Sequence, residues 1–307
     1  MSYFFEDYCV GGILLLDGGM GQELRRRSKN RPTPLWSAQA LLDEPELVQT
    51  IHEEYIQAGA KVITTNTYIT VRHRLQRDAG LGDKFEELNQ LAGKLAVQAR
   101  DSAGESVLIA GSLPPLFGSY RPDQVRPVPE LQAIYREHVE ILNPYVDLFL
   151  CETLSTPEES FAAASVAGET GKPVWVSWTL QDNETTRLRG GASLTDAFQQ
   201  LSNLSVEAVL VNCCAPESIT AAMPELVKLN TSIKVGGYAN GFEHIPEQWS
   251  ISDGISALGK RRDLDPESYS THAEAWIDAG ATVVGGCCET GPAHIQQISE
   301  SLKRKAK

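Results

Sequence analysis

Short hydrophobic runs recur along the whole chain, and each is followed by a segment with helix-like periodicity. The runs are rich in valine, isoleucine and leucine and do not alternate strictly with polar residues. This is typical of parallel strands that are covered on both faces. The pattern predicts eight strands, at residues 13–17, 61–68, 107–112, 148–152, 174–180, 208–213, 234–240 and 282–288.

The segments between these runs predict helices. Residues 46–58 carry apolar side chains at helical spacing and end at Gly59, and residues 84–103 end in the same way at Gly104. Glycine after the last periodic residue is a helix stop signal. Eight strands alternating with helices predict one α/β domain over residues 1–307, folded as a (β/α)8 TIM-type barrel. An open, doubly wound sheet is the alternative.

Composition and charge exclude several classes of protein. The chain is 42% hydrophobic and 22% charged and has a formal net charge of −13, so we expect no nucleic-acid partner. The basic run from Arg25 to Arg31 is interpreted as a solvated surface. No apolar run reaches the roughly 18 residues of a membrane span, and Glu6 and Asp7 stand where a secretory signal would be basic. We therefore expect a cytoplasmic protein with no membrane partner.

Six cysteines include two adjacent pairs, at 213–214 and 287–288. In a barrel, the sixth and eighth strands are separated by one strand, so Cys213 could meet Cys287 and Cys288 at the barrel mouth. Three thiolates suit Zn²⁺ and leave a fourth coordination position open, as catalytic zinc sites do. Buried inert thiols and a redox pair are the alternatives, although the absence of a CxxC motif weakens the redox interpretation.

Polar side chains lie where the predicted strands end. Asp17 ends the first strand, Glu152 the fourth and Asn240 the seventh. In a barrel these ends form the catalytic face. Gly285 and Gly286 precede the second cysteine pair, and we expect them to let the backbone turn so that two successive side chains face one ion.

A metal-dependent hydrolase barrel is the rival enzyme class, and such sites usually use several histidines. The histidines of this chain form no HxH pair, and we interpret them as surface or core residues. They are His52, His73, His138, His244, His272 and His294.

Several segments together resemble the homocysteine S-methyltransferase family. The resemblance extends over nearly the whole chain, in order, and its NC and GGCC motifs are highly specific. It implies a single-domain, zinc-dependent (β/α)8 barrel that methylates the sulfur of homocysteine to give methionine. The segments are DGGMGQEL at 17–24, TTNTY at 64–68, CETL at 151–154, VNC at 211–213 and GGCC at 285–288.

The resemblance implies that Cys213, Cys287 and Cys288 are the zinc ligands and form the catalytic centre. It also implies that Asn240 can approach the metal as a fourth ligand when substrate is absent. Cys214 is an extra thiol at a position where family members often have an apolar residue, and we interpret it as structural.

The resemblance further implies that Asp17 and Glu152 bind the ammonium group of homocysteine. Both are carboxylates at the ends of apolar strands, where an unpaired charge is costly. Gly18 and Gly19 could let the backbone approach the substrate carboxylate, or they could simply form a tight turn. Thr65 could bind substrate through a hydrogen bond or support its own loop.

The methyl donor is harder to read from the sequence. Aromatic faces recognise cationic methyl groups, and Trp36 and Tyr68 are candidates, although plain packing is the alternative for each. The third strand runs into Leu113-Pro114-Pro115, where the family commonly has Gly-Ser-Val/Ile-Gly-Pro, which leaves the donor in doubt. We expect no cobalamin or folate domain in this protein and no C-terminal extension like that of betaine-using relatives. These features favour S-methylmethionine or S-adenosylmethionine.

Three alternatives remain open from the sequence. They are a betaine-like donor, another thiol or selenol acceptor, and a non-catalytic relative that binds zinc or thiols. In each case we expect small-molecule partners and a monomer or a small homo-oligomer.

Overall fold

Eight parallel β-strands form the centre of the fold, and each overlaps one of the eight predicted runs. The computed structural model describes residues 3–30, 35, 37–183, 185–229, 232–246, 249 and 255–306. The strands are β1 Leu14–Leu15, β2 Val62–Thr64, β3 Leu108–Leu113, β4 Leu148–Leu154, β5 Val174–Trp178, β6 Ala208–Asn212, β7 Lys234–Ala239 and β8 Val283–Gly286.

Backbone hydrogen bonds close this sheet into a barrel. Neighbouring strands pair in the order β1-β8-β7-β6-β5-β4-β3-β2. Between β1 and β2, the Asp17 N–H donates to the Val62 carbonyl (3.0 Å) and the Lys61 N–H donates to the Leu15 carbonyl (2.8 Å). These bonds complete the ring, so the predicted (β/α)8 barrel is confirmed and the open sheet is excluded.

Helices follow the strands around the outside of the barrel. In the described part of the chain they are α1 Met20–Arg27, α2 Ser37–Asp43, α3 Pro45–Gln57, α4 Arg72–Ala79, α5 Phe85–Ala103, α6 Val128–Leu142, α7 Pro157–Gly168, α8 Leu194–Gln200, α9 Pro216–Leu229, α10 Pro266–Asp278 and α11 Pro292–Lys305. Helices α3 and α5 confirm the two helices predicted from periodicity. Gly104 ends α5 with φ of 65°, a left-handed conformation that glycine adopts without steric cost.

Apolar side chains fill two layers, one inside the barrel and one between the barrel and its helices. Strand β4 shows both: Leu148 and Leu150 belong to the inner cluster, whereas Phe149 and Cys151 pack in the outer layer. Successive strand residues face opposite sides. Since both sides are buried, the strands have no polar face, which explains why the sequence does not alternate.

The basic run lies on the surface, as expected. Its first three residues, 25–27, form the last turn of α1, where Arg26 pairs with Glu23 and Glu289, and Arg27 pairs with Glu54. Arg31, the end of the run, lies outside the described residues. No helix among the described residues is long and apolar enough to cross a membrane.

Candidate active site

A cavity of about 110 Å³ opens at the carboxyl ends of the strands, where a (β/α)8 barrel carries its catalytic groups. The fold brings nine of the residues selected from the sequence together in its wall. They are Asp17, Gly18, Gly19, Thr65, Tyr68, Glu152, Cys213, Cys287 and Cys288. Trp36 lies outside the described residues, so its contact with a donor stays a prediction.

Three cysteine side chains form a compact cluster in this wall. The Sγ atoms of Cys213, Cys287 and Cys288 all lie within 4.8 Å of one another. Cys213 Sγ is 2.8 Å from Cys287 Sγ and 4.0 Å from Cys288 Sγ. Metal–sulfur bonds of about 2.3 Å in a tetrahedral site separate the sulfurs by about 3.8 Å. The cluster can therefore hold a metal ion after small adjustments.

The backbone at the ends of β6 and β8 aims these sulfurs at one point. Cys213 follows β6 with φ of 51°, in the left-handed region, while the next side chain, Cys214, packs in the outer layer. After β8 the Thr290 N–H donates to the Cys287 carbonyl (3.2 Å) and closes a turn. This turn places both Cys287 and Cys288 beside Cys213.

Gly285 and Gly286 serve a different purpose from the expected one. Neither has a positive φ, so the expectation that they turn the backbone is wrong. A Cβ atom on Gly285 would lie 2.5 Å from Leu16 Cβ, and one on Gly286 would lie 2.0 Å from Thr290 Oγ1. The two glycines let β8 pack closely against β1 and against the turn that follows.

Hydrogen bonds inside the cluster concentrate negative charge on one sulfur. Burial disfavours a charged Cys213, but hydrogen bonds from Cys287 and Cys288 outweigh burial and hold its pKa well below that of an ordinary thiol. The same bond to Cys213 raises the pKa of Cys287 well above its usual value. Binding of a metal ion to all three thiolates would therefore release protons.

Two buried carboxylates face the cavity near the cysteines. Thr64 donates to both oxygens of Asp17, from its N–H at 2.7 Å and from its hydroxyl at 3.0 Å. The Ser112 hydroxyl donates to Glu152 Oε1, and the Tyr238 hydroxyl donates to Oε2 at 3.4 Å. Burial raises the pKa of Asp17 to about 8 and that of Glu152 to about 7. A cationic ligand would stabilise their charged forms.

The turn after β1 packs directly on the cysteine turn. A Cβ atom on Gly18 would lie 2.4 Å from the Thr290 carbonyl oxygen, and one on Gly19 would lie 2.5 Å from the Cys287 carbonyl oxygen. The Gly19 N–H donates to the Thr290 carbonyl (2.8 Å). Both glycines thus allow a close approach of two backbones, and the N–H of Gly19 is already engaged.

Thr65 and Tyr68 reach the cavity with hydroxyl groups that already have partners. The Ser112 N–H donates to Thr65 Oγ1 (3.1 Å), and the Tyr68 hydroxyl lies 2.9 Å from Ser119 Oγ. Both side chains therefore support the loops around the cavity. Because the hydroxyl of Tyr68 is already engaged, the aromatic ring is the part of this side chain that can contact a ligand.

Asn240 and Cys214 lie beside the cluster on neighbouring strand ends. The Asn240 N–H donates to the Cys214 carbonyl (3.1 Å), and Asn240 Oδ1 accepts from the Phe242 N–H (3.1 Å). Cys214 is completely buried, and burial raises its pKa. This environment agrees with the interpretation of Cys214 as a structural thiol.

The loop after β3 departs from the family pattern without entering the cavity wall at that point. Residues 113–115 are buried, and the Tyr135 hydroxyl donates to the Pro114 carbonyl (2.9 Å). Further along the same loop, Ser119 and Tyr120 do line the cavity. The residues that depart from the family pattern therefore lie outside the cavity wall, and the loop reaches the wall further along the chain.

Tyr120 and Gln22 are among the residues of the cavity wall that the sequence analysis does not select. The Tyr120 hydroxyl lies 2.9 Å from Cys213 Sγ. Gln22 is buried, and its Nε2 has no hydrogen-bond partner among the described residues. Gln22 lies within the DGGMGQEL segment, which was a usable signal. No local pattern marks Tyr120.

The fold and the cluster define the class of protein: a (β/α)8 barrel that can hold a metal ion between three thiols beside two buried carboxylates. Among the described residues, the cluster contains no histidine, which argues against the hydrolase alternative. The sequence model of the family described as homocysteine S-methyltransferase matches residues 14–302. The chain belongs to the homocysteine S-methyltransferase family.

Individual relatives agree with this assignment. The chain is 34% identical over 306 residues to homocysteine S-methyltransferase of Escherichia coli (strain K12), with 93% of this chain and 94% of that protein covered. It is 27% identical to a selenocysteine Se-methyltransferase of Brassica oleracea var. italica, with 95% and 90% covered. The structure is similar to the metallated form of the homocysteine methyltransferase MmuM from Escherichia coli, with a TM-score of 0.80 and 31% identity, covering 97% and 99% of the two chains.

Proposed function

We propose that this enzyme transfers a methyl group from a sulfonium donor, S-methylmethionine or S-adenosylmethionine, to the thiol of L-homocysteine, with one zinc ion held by its cysteines. One observation carries the proposal: three converging thiols and two buried carboxylates share one cavity. Homocysteine has a thiol and an ammonium group, and this wall offers a partner for each.

The cysteine cluster fits zinc better than harder metal ions. Three sulfur ligands suit a borderline-soft ion that accepts tetrahedral geometry, whereas Mg²⁺ and Ca²⁺ prefer oxygen. Cys213, Cys287 and Cys288 would supply three ligands and leave one position for substrate. A bound zinc ion would lower the pKa of the homocysteine thiol, which is otherwise about 8.5. Asn240 is the residue that we propose as a fourth ligand before substrate arrives.

The remaining groups orient the amino acid. Asp17 and Glu152 would bind its ammonium group, because a cation nearby stabilises both buried carboxylates. The unpartnered Nε2 of Gln22 is a donor that a substrate carboxylate could accept from. Gly18 and Gly19 would contribute by holding the first turn against the cysteine turn. Fixing the acceptor sulfur in line with the donor methyl group is a large part of such catalysis.

Donor binding is assigned to the aromatic side of the cavity. The ring of Tyr68 lies in the wall, and Trp36 is the second aromatic candidate. Aromatic faces attract cationic methyl groups electrostatically. Thr65 would support this side of the cavity through its hydrogen bond with Ser112.

A selenol acceptor is the second candidate function, because a relative of 27% identity is a selenocysteine Se-methyltransferase. A selenolate has the same charge as a thiolate and could occupy the same position beside the cysteines. We propose a reducing, cytoplasmic location for either activity, because all six cysteines are free and three must stay reduced to bind metal.

The test is product formation by the purified, zinc-loaded protein. Homocysteine is offered with S-methylmethionine, S-adenosylmethionine or betaine separately, with and without a zinc chelator, and methionine is measured. We expect chelator-sensitive methionine from a sulfonium donor. Methionine from betaine alone would overturn the donor assignment. Full activity after complete removal of zinc would overturn the metal assignment. Selenocysteine as acceptor in the same assay separates the second candidate from the first.

A further inference from the structure

One contact in the cavity has no role in the proposed reaction. The Tyr120 hydroxyl lies 2.9 Å from Cys213 Sγ, and both side chains are buried. A phenol has a pKa of about 10 and a metal-ligating thiol is deprotonated, so at neutral pH the tyrosine is the donor and the sulfur the acceptor. The other two tyrosines of the cavity wall place their hydroxyl groups elsewhere, Tyr68 on Ser119 and Tyr238 on Glu152.

The surroundings of Tyr120 fix the direction of its hydroxyl. Its backbone has φ of 61°, a left-handed conformation that is unfavourable for a side chain of this size. The guanidinium carbon of Arg189 lies 4.7 Å from the centre of the ring, and the Trp249 ring lies at 5.6 Å between centres. The contact between the Tyr120 hydroxyl and Cys213 Sγ is therefore made from an unfavourable backbone conformation, which the packing of the ring must stabilise.

Arg189 is itself held in place by the strand ends around Cys213. It forms a buried ion pair with Asp182 (2.8 Å), and Asp182 Oδ1 accepts from the Ala215 N–H (2.9 Å). Ala215 is two residues from Cys213. The loops after β3, β5 and β6 are therefore connected through Tyr120 and Arg189, and the position of the hydroxyl follows that of Cys213.

A reaction of this type creates a problem of selectivity. The cavity holds four sulfur nucleophiles during turnover, three from the chain and one from homocysteine, and the methyl donor reacts with any thiolate in line with it. A hydrogen bond to a thiolate stabilises its negative charge and so makes the lone pair less reactive. With a metal ion bound all three cysteines would be thiolates, and Cys213 is the one whose sulfur lies within hydrogen-bond distance of the Tyr120 hydroxyl.

We propose that Tyr120 protects Cys213 from methylation by donating a hydrogen bond to its sulfur, so that the methyl group is directed to the acceptor thiol. The inference rests on the proposed function. In the unwanted reaction a lone pair of Cys213 Sγ forms the new S–CH3 bond, and the carbon–sulfur bond of the sulfonium donor breaks. Its electron pair stays on the donor sulfur, which leaves as a neutral sulfide. The resulting thioether on Cys213 is neutral and binds metal poorly.

The test compares Tyr120→Phe with Tyr135→Phe and the parent protein, all zinc-loaded and with zinc content measured. Phenylalanine keeps the ring between Arg189 and Trp249 and removes the hydroxyl. Tyr135→Phe is the matched control, since it also removes one buried hydroxyl bound to the loop after β3, but not one that touches sulfur. Each protein reacts with iodomethane, which needs no donor site, and peptide mass mapping measures methylation at Cys213 and Cys287.

We expect the ratio of methylation at Cys213 to that at Cys287 to rise about tenfold or more in Tyr120→Phe, since a hydrogen bond to a charged group is lost. Tyr135→Phe should keep the parent ratio. Arg189→Met, which leaves the hydroxyl but frees the ring, should raise the ratio by a smaller factor. An unchanged ratio in Tyr120→Phe, or an equal rise in Tyr135→Phe, would overturn the proposal.

A second arm replaces iodomethane with S-methylmethionine and homocysteine. We expect Tyr120→Phe to gain one methyl group on Cys213 and to lose zinc during turnover, while the parent protein does neither. If the parent makes no methionine from any donor but the iodomethane ratio still rises in Tyr120→Phe, the proposed function fails and the protection of Cys213 is upheld. If the parent makes methionine but the ratio of methylation at Cys213 to that at Cys287 does not rise in Tyr120→Phe, the proposed function is upheld and the protection of Cys213 by Tyr120 fails.

Discussion

Gly19→Ala is the substitution whose effect can be worked out most directly from the structure. The added Cβ atom would lie 2.5 Å from the Cys287 carbonyl oxygen and 3.2 Å from Cys288 Cα. Gly19 has φ of −76° and ψ of 92°, which alanine adopts freely, so the contact is the whole perturbation. Real Cβ contacts essentially never fall below 3.0 Å, so the carbonyl must retreat by at least the difference.

This carbonyl cannot move alone, because it anchors the cysteine turn. It accepts from the Thr290 N–H at 3.2 Å and from the Thr290 hydroxyl at 2.6 Å. Moving it therefore displaces Cys287 and Cys288 together. Overpacking of this kind costs about 1–3 kcal/mol of unfolding free energy. A misplacement approaching about 1 Å at a reacting centre lowers the rate about 100-fold, and disturbed support of metal ligands weakens metal binding by about 10- to 100-fold.

The assay separates packing from substrate binding. Zinc affinity is measured by competition with a chelator, and kcat and KM for homocysteine are measured on the loaded protein. Gly168→Ala is the matched control, because nothing lies within 4 Å of a Cβ atom built there, and alanine within a helix is slightly stabilising. We expect Gly19→Ala to lose both zinc affinity and kcat. Normal zinc affinity with only a raised KM would refute the packing argument and favour a direct contact between Gly19 and the substrate carboxylate.

Three further predictions address the cysteines and the carboxylates. Cys287→Ala should lose zinc and activity together, whereas the control Cys214→Ala should keep both. Metal analysis and methionine formation measure the two properties. Retention of full zinc by Cys287→Ala would contradict the ligand assignment. Glu152→Gln should raise KM for homocysteine about tenfold or more, since a hydrogen bond to a charged group is lost, while zinc stays bound; loss of zinc instead would contradict its role in ammonium binding. Burial raises the pKa of Asp17 to about 8 and that of Glu152 to about 7. Below these pH values the ammonium group of a bound amino acid must displace a proton from each carboxyl group. The affinity for L-methionine, measured by calorimetry, should therefore rise between about pH 6 and about pH 8 and then level off. In the ligand-free protein these folded pKa values lie above the unfolded values of about 4, so the two groups stabilise the fold at low pH and lose that contribution progressively as the pH rises from about 4 to about 8, which thermal unfolding would detect. Ligand affinity that falls with rising pH would refute the assignment.

The barrel could be predicted from the sequence because its strands are buried on both faces. Burial on both sides removes the polar face of each strand, and the resulting apolar runs are visible without any structure. The meeting of Cys213 with Cys287 and Cys288 then follows from the order of the strands, since β7 alone lies between β6 and β8. Only the barrel topology is needed for that step, because a (β/α)8 barrel arranges its strands in chain order.

Tyr120 could not be predicted in the same way. It lies in an irregular loop, its φ of 61° is unusual for a tyrosine, and its ring is held by Arg189 and Trp249, which belong to other loops. Contacts between loops of different strands have no period in the sequence. The role of Gly285 and Gly286 cannot be predicted from the sequence for a related reason, because a glycine that forms a turn and a glycine that permits close packing look the same in a sequence.

The close packing of glycines also connects two separate motifs of this chain, DGGMGQEL at 17–24 and GGCC at 285–288. Gly18 and Gly19 of the first motif lie against the carbonyls of Thr290 and Cys287, and Gly286 of the last motif lies against the Thr290 side chain. The two motifs are therefore the two sides of one contact between backbones at the barrel mouth. A side chain added on either side would displace the cysteine turn, so the positions of Cys287 and Cys288 depend on glycines outside the cysteine cluster.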